Sequence, residues 1–76
     1  MSRPELRLYG TEHCHLCDEA EAILRKAGIA ASYVEIAGDE VLVAKYGMRI
    51  PVLHRMDTDA ELGWPFDAAM AARFLK

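Results

Sequence analysis

The chain has 76 residues, 53% of them hydrophobic and 28% charged, with a formal net charge of −3. That length predicts one domain, residues 1–76, and the apolar content excludes a disordered chain. The nine Lys and Arg are scattered, which excludes phosphate-driven nucleic-acid binding and a basic membrane-surface helix.

Met1-Ser2-Arg3-Pro4-Glu5 lacks the apolar stretch of a signal peptide. The longest unbroken apolar run, Ala68 to Ala72, is far too short to span a bilayer. A cytoplasmic protein with no membrane association is therefore expected. Glu5-Leu6-Arg7-Leu8-Tyr9 alternates polar and apolar residues, which predicts a first strand ended by Gly10-Thr11. From Cys14 the period changes: Leu16, Ala20, Ile23, Leu24 and Ala27 recur at helical spacing. Asp18, Glu19 and Glu21 crowd the early turns and Arg25-Lys26 the last, an order that suits the helix dipole. Gly28 is placed to cap that helix.

Ser32-Tyr33-Val34-Glu35-Ile36 reads as a second strand. Strand, helix and strand with short joints predict a βαβ unit with parallel strands. Gly38-Asp39 opens a short helix through Val41, Leu42 and Lys45, stopped at Gly47. Ile50-Pro51-Val52-Leu53-His54-Arg55-Met56 reads as a third strand with proline near its start, a position proline tolerates. Asp57-Thr58-Asp59 is a turn and Ala60-Glu61-Leu62 a fourth strand, so the last two strands should form an antiparallel hairpin. Asp67 caps a final helix in which Met70 and Phe74 share a face. The predicted order is β-α-β-α-β-β-α, an α/β fold.

The chemistry-bearing segment is Cys14-His15-Leu16-Cys17, which holds both cysteines of the chain. Two cysteines at this spacing, at a helix start after a strand, can cycle between dithiol and disulfide. As a structural staple the pair would do little, because the loop it closes is short and the expected compartment is reducing. The thiolate is the attacking species, and a free cysteine with a pKa of about 8.5 is mostly protonated at neutral pH. A helix N-terminus aims unpaired N–H groups and the positive dipole end at Cys14, which favours its thiolate. Cys17 lies nearly one turn on, on the same face, and is expected to be the more shielded. Cys14 would attack a substrate disulfide, and Cys17 would resolve the mixed disulfide. Protonated His13 and His15 would support the thiolate and Glu12 would oppose it; the sequence leaves the sum of these charges open.

Leu8-Tyr9-Gly10-Thr11-Glu12-His13-Cys14-His15-Leu16-Cys17, Arg49-Ile50-Pro51-Val52-Leu53 and Gly63-Trp64-Pro65-Phe66-Asp67 together resemble the thioredoxin-fold superfamily, and glutaredoxins most closely. The likeness covers nearly the whole chain. The Cys-x-Leu-Cys-Asp-Glu-Ala run and the Trp-Pro-Phe segment are similar to a bacterial glutaredoxin-like family of poorly defined function. The resemblance implies a thioredoxin-like fold with a four-stranded mixed sheet flanked by three helices. It implies a cis peptide before Pro51, with Ile50 and Pro51 lying against the cysteines and pairing with an extended substrate. It makes Arg49 a ligand contact. It also implies a monomeric thiol–disulfide oxidoreductase acting on protein or glutathione mixed disulfides, with no tightly bound cofactor. Its electron donor would be glutathione or a thioredoxin-reductase-like flavoprotein.

The chain departs from the glutaredoxin pattern in places. His15 and Leu16 stand where glutaredoxins have proline and tyrosine. Gly10-Thr11-Glu12-His13 lacks the basic residue that meets a glutathione carboxylate. Only Gly63 and Asp67 remain of a Gly-Gly-x-x-Asp pattern. The usual glutathione clamps are thus incomplete, with Arg49 as the remaining candidate. The competing reading is a non-catalytic binding module that uses the same groove for a partner or a metal. Cys14, Cys17 and His13 or His15 offer zinc-type ligands, and some glutaredoxins bridge an iron–sulfur cluster between two chains. A closed zinc site needs four ligands, and no second cysteine pair exists, so no metal is expected. His54 reads as an ordinary strand residue, Trp64 as packing, and Met70 and Phe74 as core.

Overall fold

The computed structural model describes residues 4–76; Met1, Ser2 and Arg3 of the N-terminal stretch lie outside the described residues. The elements follow the predicted order: β1 (Leu6–Gly10), α1 (His15–Lys26), β2 (Ser32–Glu35), α2 (Glu40–Tyr46), β3 (Val52–Arg55), β4 (Ala60–Gly63) and α3 (Ala68–Phe74). The four strands form one mixed sheet in the order β2-β1-β3-β4. β1 runs parallel to β2, and the β1–β3 and β3–β4 pairs are antiparallel. This is a thioredoxin-like architecture.

Strand alternation divides the core between the two sheet faces. Leu6, Leu8 and Leu53 point to one face, where they pack with Ala20 and Leu24 of α1 and Ala71 of α3. Met70, Phe74 and Trp64 pack around that cluster, as the sequence predicts. Tyr9 and Val52 point the other way and pack with Ile36 and Tyr46, the last residue of α2. Each large side chain fully buried here contributes about 1.5–3 kcal/mol of hydrophobic stabilisation.

Local signals fix the helix ends. Asp39 caps α2 by accepting from Val41 and Leu42 N–H, both at 3.1 Å, and Asp67 caps α3 through Met70 N–H at 2.8 Å. α1 ends in paired reverse bonds, Gly28 N–H to Arg25 and Ile29 N–H to Leu24, with Gly28 at φ 71°. Only a residue without Cβ adopts that conformation freely.

β3 starts two residues later than the sequence predicts. Pro51 has no N–H for the ladder, and Ile50 N–H is already bonded to Tyr46 O at 3.0 Å. The Ile50–Pro51 peptide is cis, and so is Trp64–Pro65, which the sequence reading did not anticipate. Among the described residues, no helix is long and apolar enough to cross a membrane.

Candidate redox site at the start of the first helix

Cys14 is the N-cap of α1, with extended backbone at φ −99° and ψ 104°. Its Sγ accepts from Cys17 N–H at 3.1 Å, and its carbonyl accepts from Asp18 N–H at 3.1 Å. The sulfur thus stands in for a Ser or Asp cap, at the positive end of the helix dipole. A thiolate at that position keeps the N–H donor and gains a charge-assisted bond. The two cysteines are joined as a disulfide with Cα atoms 5.2 Å apart. Cys14 is partly exposed, whereas Cys17 has no exposed surface. Burial therefore distinguishes the two sulfurs.

The turn before Cys14 is held from β2. Glu35 accepts from Glu12 N–H at 2.9 Å with one oxygen and from Ala37 N–H at 2.8 Å with the other. The Ala37 bond, followed by those from Thr11 and Glu12, holds the Glu35 carboxyl below its ordinary value. Ile36 N–H adds a bond to Gly10 O at 3.0 Å. His13, between this anchored segment and Cys14, has φ 60°, a left-handed conformation that His adopts more readily than most side chains.

His13 and His15 are both exposed. The His15 ring lies 3.7 Å from Glu19 Oε2, one turn along the helix. Pro51 is fully buried. The β1–β3 register ends at Tyr9 opposite Val52, and one further step sets Pro51 beside Gly10. Gly10 in turn packs against Cys17, since a Cβ there would sit 3.0 Å from its Sγ. The sheet register therefore brings the Ile50–Pro51 segment to the cysteine end of β1.

Arg49 is engaged rather than free. Its Nη2 donates to Glu61 Oε1 at 2.9 Å, and its guanidinium stands 5.5 Å from the centre of the Tyr46 ring. Glu61 also accepts from the Tyr46 hydroxyl at 2.5 Å and lies 4.0 Å from Lys45 Nζ. The Tyr46 bond, then Arg49 and Lys45, hold the Glu61 carboxyl below its ordinary value. Burial first, and the Glu61 carboxylate second, raise the Tyr46 phenol. Tyr46 also accepts the N–H groups of Arg49 and Ile50 at its carbonyl, at 2.7 and 3.0 Å. One residue thus anchors the loop before Pro51 through both backbone and side chain.

Sequence reasoning missed Glu35, Tyr46 and Glu61, whose partners come from other elements. It also took His54 as an ordinary strand residue. His54 is 5% exposed, with Nδ1 2.9 Å from the Tyr9 hydroxyl and Nε2 2.6 Å from Asp59 Oδ1. Both ring nitrogens are thereby committed to the face under α2. Among the described residues, no three His, Cys, Asp or Glu side chains form a metal-holding group.

A thioredoxin-like sheet with a buried and a partly exposed cysteine joined at a helix N-cap defines a redox-type thioredoxin-fold protein. Residues 5–76 match the glutaredoxin-like domain (DUF836) family, and the chain belongs to it. It is similar to the structural-genomics target protein XcR50 from X. campestris, whose X-ray structure is 42% identical, with TM-score 0.86, over 92% of this chain and 93% of that one. The solution structure of XcR50 gives TM-score 0.83 at 42% identity, over 93% and 91% of the two chains. Protein Ne2328 from Nitrosomonas europaea is 31% identical, with TM-score 0.79, over 100% of this chain and 95% of that one. No curated protein matches the chain.

Proposed function

We propose that this protein is a small dithiol thiol–disulfide oxidoreductase. Cys14 attacks a disulfide substrate and forms a mixed disulfide; one substrate sulfur leaves as a thiolate and takes a proton from water. Cys17 then attacks the Cys14 sulfur. The Cys14–Cys17 bond forms, the mixed disulfide breaks, and the substrate leaves reduced by two electrons in all. An external dithiol or thiol donor returns the pair to the reduced state. The observation that carries this reading is the Cys14 sulfur at the N-cap, bonded by Cys17 N–H at 3.1 Å while Cys17 itself is fully buried.

Ile50 and Pro51 are assigned the role of pairing with the substrate chain beside the sulfur. Leu16 and Met48, on the motif and on the loop before Arg49, are large apolar side chains left exposed, which suits a protein substrate. Arg49 is the candidate contact for a glutathione carboxylate, but an incoming carboxylate must compete with Glu61, already 2.9 Å away. His13 and His15, exposed on either side of Cys14, are assigned to the substrate rim. The reading therefore favours protein disulfides over glutathione, in a reducing compartment such as the cytoplasm.

The test is steady-state reduction of a peptide disulfide with either a thioredoxin-reductase-like flavoprotein or glutathione as donor. Turnover above the donor-only rate with one of them is the expected result. No turnover with either, from protein whose disulfide is chemically reducible, would overturn the assignment.

A further inference from the structure

Gly10 ends β1 on the face that carries α1, and its missing side chain leaves a gap shared by two others. A Cβ at that position would lie 2.8 Å from the Tyr33 hydroxyl, 3.0 Å from Cys17 Sγ and 3.1 Å from Cys17 Cβ. The phenol oxygen and the buried sulfur thus converge on one point. The two atoms therefore stand within about 6 Å of each other, a separation that one water can bridge. Tyr33 pairs with Leu8 in the parallel register, which sets it on the same sheet face as α1. Tyr33 is 41% exposed, and it lines a surface cleft of about 250 Å³ together with Glu21, Leu24 and Arg25. Tyr33 therefore reaches from solvent to the sulfur that no solvent touches.

Cys17 needs such a neighbour. Resolution requires its thiolate, and full burial disfavours a charged sulfur. Glu12 on the turn before Cys14, Asp18 and Glu21 on α1, and Glu35 on β2 all act on the Tyr33 phenol. Burial first, and these carboxylates after it, raise the phenol above its ordinary value of 10.0. At neutral pH it is a hydrogen-bond donor and not a base.

We propose that Tyr33 assists the resolving step by donating a hydrogen bond, directly or through one water, to the Cys17 sulfur as it ionises. The proposal rests on the dithiol reading above. The Cys17 proton leaves through water that enters along the Tyr33 cleft. The thiolate attacks the Cys14 sulfur, the Cys14–Cys17 bond forms, and the bond between Cys14 and the substrate sulfur breaks. The substrate departs as a thiolate and is protonated by water. The hydroxyl keeps its own proton throughout. Gly10 permits this contact because any side chain there would displace the hydroxyl or the sulfur.

The experiment is a single-turnover reaction of the reduced protein with 5,5′-dithiobis(2-nitrobenzoate). Attack by Cys14 releases a first chromophore, and attack by Cys17 releases a second from the same chain. For Tyr33→Phe the first phase should be unchanged. The second should slow about tenfold, consistent with the strength of a hydrogen bond to a charged group. Its pH midpoint should move up by about one unit. Gly10→Ala should slow the same phase. If the wild-type protein shows no second phase, the dithiol reading fails. If the wild type is biphasic and Tyr33→Phe matches it at every pH, the Tyr33 assignment alone fails. Equal slowing of both phases with an unmoved pH midpoint would also overturn it, since that is the result of a merely structural role.

Discussion

Cys17→Ser should convert the protein into a covalent trap. Mixed with a protein disulfide, this variant is expected to accumulate an adduct through Cys14 approaching one substrate per chain, seen by mass spectrometry and lost on treatment with excess dithiol. Cys14→Ser should form no adduct and should reduce disulfides at the uncatalysed background rate. The asymmetry follows from burial and capping: Cys14 is partly exposed and receives the Cys17 N–H, whereas Cys17 is wholly enclosed by α1 and the Gly10 end of β1. The two sulfurs are bonded in the structure, which puts Cys17 within reach of the Cys14 sulfur. Well-oriented intramolecular groups reach effective molarities of about 10⁵ M or more. Millimolar external thiol should therefore replace Cys17 only slowly. Equal trapping by both single variants would contradict the assigned direction.

The second large effect concerns stability. Tyr46→Ala should cost about 3–5 kcal/mol, the range for deleting a large buried aromatic side chain. Tyr46 is 1% exposed, stacks on Tyr9 with ring centres 4.3 Å apart, and bonds Glu61 through its hydroxyl. Native proteins hold only about 0.05–0.15 kcal/mol per residue, so this loss removes much of the margin of so short a chain. With a urea slope of about 1 kcal/mol/M, the unfolding midpoint should drop by about 3 M or more. Glu61→Gln keeps the shape and should cost less, about 1–2 kcal/mol, because its bonds are charge-assisted but touched by solvent.

The Glu61 contribution also carries a pH signature. The folded Glu61 carboxyl titrates below its ordinary value of 4.5. The unfolded chain therefore binds more protons in that window, and stability rises with pH there. The Glu61 contribution is complete above about pH 4.5 and fades as pH falls through the lowered value. In Glu61→Gln that part of the acid sensitivity should be missing. An unchanged acid limb in urea titrations would contradict the clamp.

What the sequence made legible was local. The period change at Cys14, the basic last turn at Arg25-Lys26, the Gly28 stop and the Asp39 and Asp67 caps each depend on residues within a turn of one another. All the strands fell within two residues of their place, with β3 displaced by a proline whose effect on the ladder is itself local. The resemblance supplied the position of Ile50-Pro51, and the sheet register brings that segment to the cysteine end of β1. The contacts around the site were not legible, because they depend on strand order. Glu35 reaches back to Glu12 only because β2 lies parallel beside β1. Glu61 meets Tyr46 and Arg49 only because β4 follows β3 across the sheet. His54 looked ordinary because nothing near it in sequence announces Tyr9, 45 positions away. Arg49 is the instructive case, since its position marked it as a ligand contact and the fold supplies it with a carboxylate of its own.

The most direct measurement of the central claim is the rate of Cys14 alkylation in the reduced protein as a function of pH, followed by peptide mass spectrometry. A helix N-cap that stabilises the thiolate predicts a half-maximal rate well below pH 8.5, the value of an unperturbed cysteine. A profile with its midpoint at or above about 8.5 would contradict the assignment of Cys14 as an activated nucleophile.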